Sequence, residues 1–145
     1  MDKSFSIILA IIVGICQGVQ SPINAALGKV ITPKVAAFNS VLVSAIIMFL
    51  IVLFSGTFKE YSNIKDISPF YWIGGVFGIA IVFLSIKVIP ILGTTSAFSI
   101  FIAVQLIVGV LLNQFGLFGV AKIPMDPVRF MGVILLVVAV KMVVR

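Results

Sequence analysis

The chain has 145 residues, 62% of them hydrophobic and only 10% charged, with a mean hydropathy of +1.36 and a formal net charge of +6. A soluble domain carries charge at roughly a quarter of its positions, so this composition excludes a water-wetted surface and predicts an all-α integral membrane protein. Lys and Arg gather between or at the ends of the apolar runs, which makes them reporters of topology rather than a nucleic-acid face.

Five apolar runs follow in order, at about 4–27, 35–54, 70–89, 94–115 and 129–144. Each predicts a transmembrane helix, within one transmembrane domain covering 1–145. The first run is too long for the apolar core of a signal peptide. Within it, residues 14–27 read GICQGVQSPINAAL. Gln17, Gln20 or Ser21, and Asn24 recur at helical spacing and share one face. Pro22 lacks an N–H and crowds the carbonyl of Gly18, so a kink or loosening is expected there. Unpaired amides are costly in hydrocarbon and face the bundle interior or water. The stripe therefore reads as the lining of a cavity, against the plainer reading that it only bridges helices at on the order of 0.6 kcal/mol per bond.

The second run carries Asn39, Ser40 and Ser44 near its start. Residues 55–69 (SGTFKEYSNIKDISP) are the most polar stretch and read as an exposed loop. Tyr71 and Trp72 open the third run, where half-wet rings suit a membrane interface. Residues 90–93 (PILG) read as a tight turn. Gln105 stands near the middle of the fourth run, while Asn113 and Gln114 near its end read equally well as interfacial or as buried polar groups. Residues 116–128 form a semi-apolar connection with two prolines. The fifth run is short for a span, and Lys141 and Arg145 make up the difference by reaching the headgroups.

Gly14 with Gly18, and Gly74 with Gly78 beside Gly75, are small-xxx-small pairs that let helix backbones approach in lipid. No carboxylate falls within a span: Asp2, Glu60, Asp66 and Asp126 all lie outside. There is no His, the lone Cys16 sits in an apolar run, and no phosphate-binding glycine loop is present. An enzyme, a metal site and a cofactor are not expected.

Alternating sides for successive connections places Lys3, Lys59, Lys65, Lys122 and Arg129 on one face. Lys29, Lys34, Lys87, Lys141 and Arg145 fall on the other. The tally is even, where an excess would ordinarily mark the cytoplasmic face. One reading is a chain whose topology is set by other means. The other is dual topology, in which two copies insert oppositely and pair. An odd number of helices favours pairing, because an inverted pair restores a symmetric ten-helix body.

The segments GICQ (14–17), PINA (22–25), AAFNS (36–40), YWIGGVFG (71–78), PILG (90–93), Gln105, NQFG (113–116) and PVRFMG (127–132) carry a resemblance. Together they make the chain similar to the YdcZ-type, half-size branch of the drug/metabolite transporter superfamily. That branch is related to EamA-type carriers and small multidrug resistance proteins. The resemblance implies a small-molecule transporter subunit of a bacterial inner membrane, working as an antiparallel homodimer or with a paralogous five-helix chain. Asn113 departs from the aspartate expected at that position. Taken with the residues, the expectation is alternating access around Gln17, Gln20, Ser21, Asn24, Asn39 and Gln105, with a neutral or zwitterionic cargo. The alternative is a non-transporting scaffold or an obligate partner of a paralogous transporter.

Overall fold

The computed structural model describes residues 3–66 and 68–144, with the side chain of Asp66 excepted. Asp2, Asp66 as a charge and Arg145, which entered the topology reading, lie outside what is described. Among the described residues every regular element is helical. The elements are α1 (Lys3–Val30), α2 (Pro33–Phe54), α3 (Ile73–Leu92), α4 (Thr94–Phe115) and α5 (Pro127–Val143), with short 3₁₀ segments between them.

Several boundaries move from their expected places, each for a local reason. α1 continues to Val30 and passes unbroken through Pro22. A proline removes one hydrogen bond from a helix, and in an apolar medium the remaining ladder outweighs that loss. α2 begins at Pro33, two residues early. Thr32 caps it by accepting from the Val35 N–H at 3.3 Å, and Pro33 takes the first turn, where no N–H is needed. The exposed stretch after α2 folds into a 3₁₀ segment, Thr57–Asp66. Phe58 stacks on Tyr61 there and meets Phe49 of α2 edge-on.

The expected turn at 90–93 is smaller than predicted. α3 carries Pro90 inside it and ends at Leu92, leaving Gly93 alone between α3 and α4. Gly93 has φ 78° and ψ 155°, a region that is essentially glycine-only. It therefore takes the whole break on one residue.

Among the described residues, four segments are long and apolar enough to cross a membrane: Lys3–Val30, Pro33–Phe54, Pro69–Leu92 and Thr94–Phe115. α5 has 17 residues. At 1.5 Å per residue that is about 26 Å, against a hydrocarbon core of about 30 Å.

The chain divides into two compact units, 1–91 and 92–145. In the first, α1 and α2 form an antiparallel hairpin, against which the C-terminal half of α3 packs through Ile86, Val82 and Phe83. Buried apolar side chains there are Ala25, Ala36, Ala37, Ile86 and Ile89. Alanine dominates because lipid is as apolar as leucine, so helices associate by close backbone approach rather than by hiding large side chains. The second unit is the α4–α5 hairpin. Its connection folds back on α4, with the Ile123 N–H donating to the Asn113 carbonyl at 2.9 Å and the Met125 N–H donating to Gln114 Oε1 at 2.6 Å.

Candidate functional site

Three helices of the first unit meet in layers spaced by four residues. Such spacing repeats one face of a helix about every turn. In the outermost layer α1 offers Gly28, α2 offers Ala36 and α3 offers Ile86. A Cβ built on Gly28 would stand 2.5 Å from Ile86 Cγ2 and 3.8 Å from Ala36 Cβ. This is a close approach of apolar atoms from all three helices.

One turn inward lie Asn24, Ser40 and Val82. Asn24 is 8% exposed, and its Nδ2 donates to Ser40 Oγ at 3.0 Å. The bond ties α1 to α2 and satisfies part of a buried amide. A further turn inward the helices part. Gln20 of α1, Ser40, Val41 and Ser44 of α2, and Gly75, Gly78, Ile79 and Val82 of α3 line a cleft of about 220 Å³. The Ser44 hydroxyl donates to the Ser40 carbonyl at 2.9 Å, so its hydrogen is held by its own helix. Gln20 is exposed, and no lining side chain of this cleft is charged. The arrangement offers neutral donors and acceptors beside apolar groups.

The expected cavity residues thus separate. Gln20 lines the cleft, while Asn24 is buried one turn away and reaches it only through its bond to Ser40. Ser21 and Pro22 are half-buried beside it, whereas Gln17 is exposed a turn beyond. Asn39 is exposed on α2 and does not line the cleft, because it precedes Ser40 by one residue and so points about 100° away. Cys16 is exposed.

The packing glycines also need placing. A Cβ at Gly14, Gly18, Gly74, Gly75 or Gly78 would meet nothing within 4 Å. The close approach within the chain is made at Gly28 instead. Its signal was present in the sequence, since Gly28 continues the stripe four residues after Asn24 and one residue past the expected end of the first run. Gly75 and Gly78 face the cleft, where their lack of side chains provides its width.

Gln105 belongs to the second unit. It lines a cavity of about 510 Å³ between α4 and α5, together with Leu106, Gly109, Val110, Asn113, Ile123, Met125, Arg129, Gly132, Val133 and Leu136. Gln105, Gly109 and Asn113 recur every four residues, so one face of α4 carries all three into this cavity. Asp126 caps α5, its Oδ1 accepting the Arg129 N–H at 2.8 Å, while Oδ2 stands 3.5 Å from Arg129 Nε. Asn113, through its carbonyl, and Gln114, through its side chain, fasten the connection to α4, and Asn113 also lines this cavity.

Residues 5–142 match the family described as "Putative inner membrane exporter, YdcZ". No curated protein and no solved structure matches the chain.

Proposed function

The chain belongs to this YdcZ inner-membrane exporter family, and from that premise we propose that it is one half of a small-molecule transporter in a bacterial inner membrane. All five helices span, α5 reaching the headgroups through Lys141 in its last turn. Two copies insert in opposite orientations and pair, and the pair alternates access to a shared midplane cavity. The cargo is polar and neutral or zwitterionic, held by Gln17, Gln20, Ser21, Asn24, Asn39 and Gln105.

The observation that carries this reading is the cleft of the first unit. It is lined by Gln20 and by Ser40, which accepts a hydrogen bond from the buried Asn24 amide, and it carries no charged lining group. Uncharged hydrogen-bonding groups at membrane depth are expensive unless they are paired or face a wet cavity, and Gln20 opens onto the cleft. Pairing is supported by the even split of positive charge between the two faces and by glycines that meet nothing within their own chain.

Dual topology is tested by single cysteines placed at either terminus of a Cys16→Ala protein and labelled from each side of the membrane. Both termini should label from both sides. If every C-terminus labels from one side only, the inverted homodimer is wrong, and a one-way subunit that needs a paralogous partner takes its place.

A further inference from the structure

The α4–α5 cavity has a division that the first unit's cleft lacks. Its charge and one amide, Arg129 and Asn113, sit on the first turn of α5 and the last turn of α4. Toward mid-span the lining turns to Leu106, Gly109, Val110, Gly132, Val133 and Leu136, with Gln105 as the one deep polar group. A guanidinium carries five N–H donors in a fixed fork that matches carboxylate and phosphate. Only Nε faces Asp126, at 3.5 Å, and the Arg129 side chain is 42% exposed. The lip is already ordered, because Gln114 holds Met125 and the Asn113 carbonyl holds Ile123. Ordering it on binding therefore costs little. Asp126 is the one acid among residues 92–145, against Lys122, Arg129, Lys141 and Arg145, and the N-terminal end of the α5 dipole adds further positive potential.

We propose that this cavity binds an anionic amphiphile, its phosphate or carboxylate head at Arg129 and Asn113 and its alkyl chain along the apolar lining. A volume of about 510 Å³ lies in the ordinary range for ligand sites, about 300–1,000 Å³. A bare inorganic ion would leave most of that lining empty. The head sits at a helix end, the depth at which basic pockets between transmembrane helices hold anionic headgroups. The site shares Gln105 with the proposed cargo set, and its test reads binding rather than transport, so the two readings fail separately.

The test uses the full chain purified in dodecyl maltoside. Thermal stability is followed against dodecanoate, with dodecanol as the uncharged control. Lipid retained from phosphatidylglycerol and phosphatidylcholine bilayers is counted by native mass spectrometry. Dodecanoate should stabilise the protein saturably and dodecanol should not, or phosphatidylglycerol should be retained over phosphatidylcholine. The first result identifies a free amphiphile as the source of the head and the second a membrane lipid. Arg129→Gln should weaken binding about tenfold or more, the size expected for losing a hydrogen bond to a charged group. Asp126→Asn should strengthen it several-fold, because it removes the competing carboxylate while asparagine still caps α5. This opposite sign keeps the test valid if Arg129→Gln fails to fold. Equal behaviour of charged and uncharged probes, or no change with Asp126→Asn, overturns the proposal.

Discussion

Asn24 Nδ2 donates to Ser40 Oγ at 3.0 Å, one helical turn inside the contact of Gly28 with Ile86. The pair joins α1 to α2 at the level where this apolar contact gives way to an open cleft. Asn24 is therefore a buried structural tie that holds Ser40, a residue of the cleft wall.

Either Asn24→Ala or Ser40→Ala should lower the unfolding free energy of the purified protein by about 0.6 kcal/mol, with about 1.7 kcal/mol as the upper end for such bonds in membranes. The double variant should cost little more than the larger single one, because each change already removes the bond. Additive losses in a denaturant titration would mean that the two residues act separately.

Gly28→Ala places a methyl group 2.5 Å from Ile86 Cγ2, closer than real contacts allow. Overpacking of this kind costs about 1–3 kcal/mol. Adding Ile86→Ala should recover part of the loss, since it removes the clashing atom. Thermal unfolding of the two single variants and the double variant measures this directly.

Gly14→Leu, Gly18→Leu and Gly74→Leu should leave the folded single chain nearly as stable as before, because a Cβ there meets nothing within 4 Å. If these glycines serve a partner copy, each change should reduce cross-linked dimer several-fold. Unchanged dimer yield would assign them to lipid-facing surface.

Gln20→Ala removes the exposed amide that opens onto the cleft without touching the Asn24–Ser40 bond. Transport by reconstituted protein should fall about tenfold, as for loss of a polar contact worth about 1.4 kcal/mol, while melting stays unchanged. Asn39→Ala should change transport less, since Asn39 does not line the cleft of its own chain.

Gln114→Ala releases the Met125 N–H, now held at 2.6 Å. A net loss of about 1 kcal/mol is expected. Hydrogen exchange should quicken at Met125 and Ile123 while α4 itself keeps its protection.

Much of this architecture was legible before any coordinates. Each long apolar run became a helix, because a backbone in hydrocarbon must satisfy its own hydrogen bonds and a helix does so locally. Asn24 was picked out for the same reason, as an amide that needs a partner. Its partner was not legible: Asn39 and Ser40 are adjacent in sequence, and only the rotation of α2 decides which of them meets α1. Pro90 misled, since it reads as a turn, and yet the helix runs through it and breaks at Gly93.

The chain's composition and periodicity alone determined that it is a helical membrane protein with an uncharged polar stripe on its first helix, since both follow from transfer free energies that act residue by residue. What only the tertiary structure decided is which small residue lets the helices touch, and where they part. Gly14, Gly18, Gly74 and Gly78 carry the stronger local signal as small-xxx-small pairs, which Gly28 lacks. Close approach depends on what stands opposite, and Ile86 stands opposite Gly28 alone among these glycines. In the same way, the four-residue ladder of Gln105, Gly109 and Asn113 became a cavity wall only when α5 brought Arg129 alongside it.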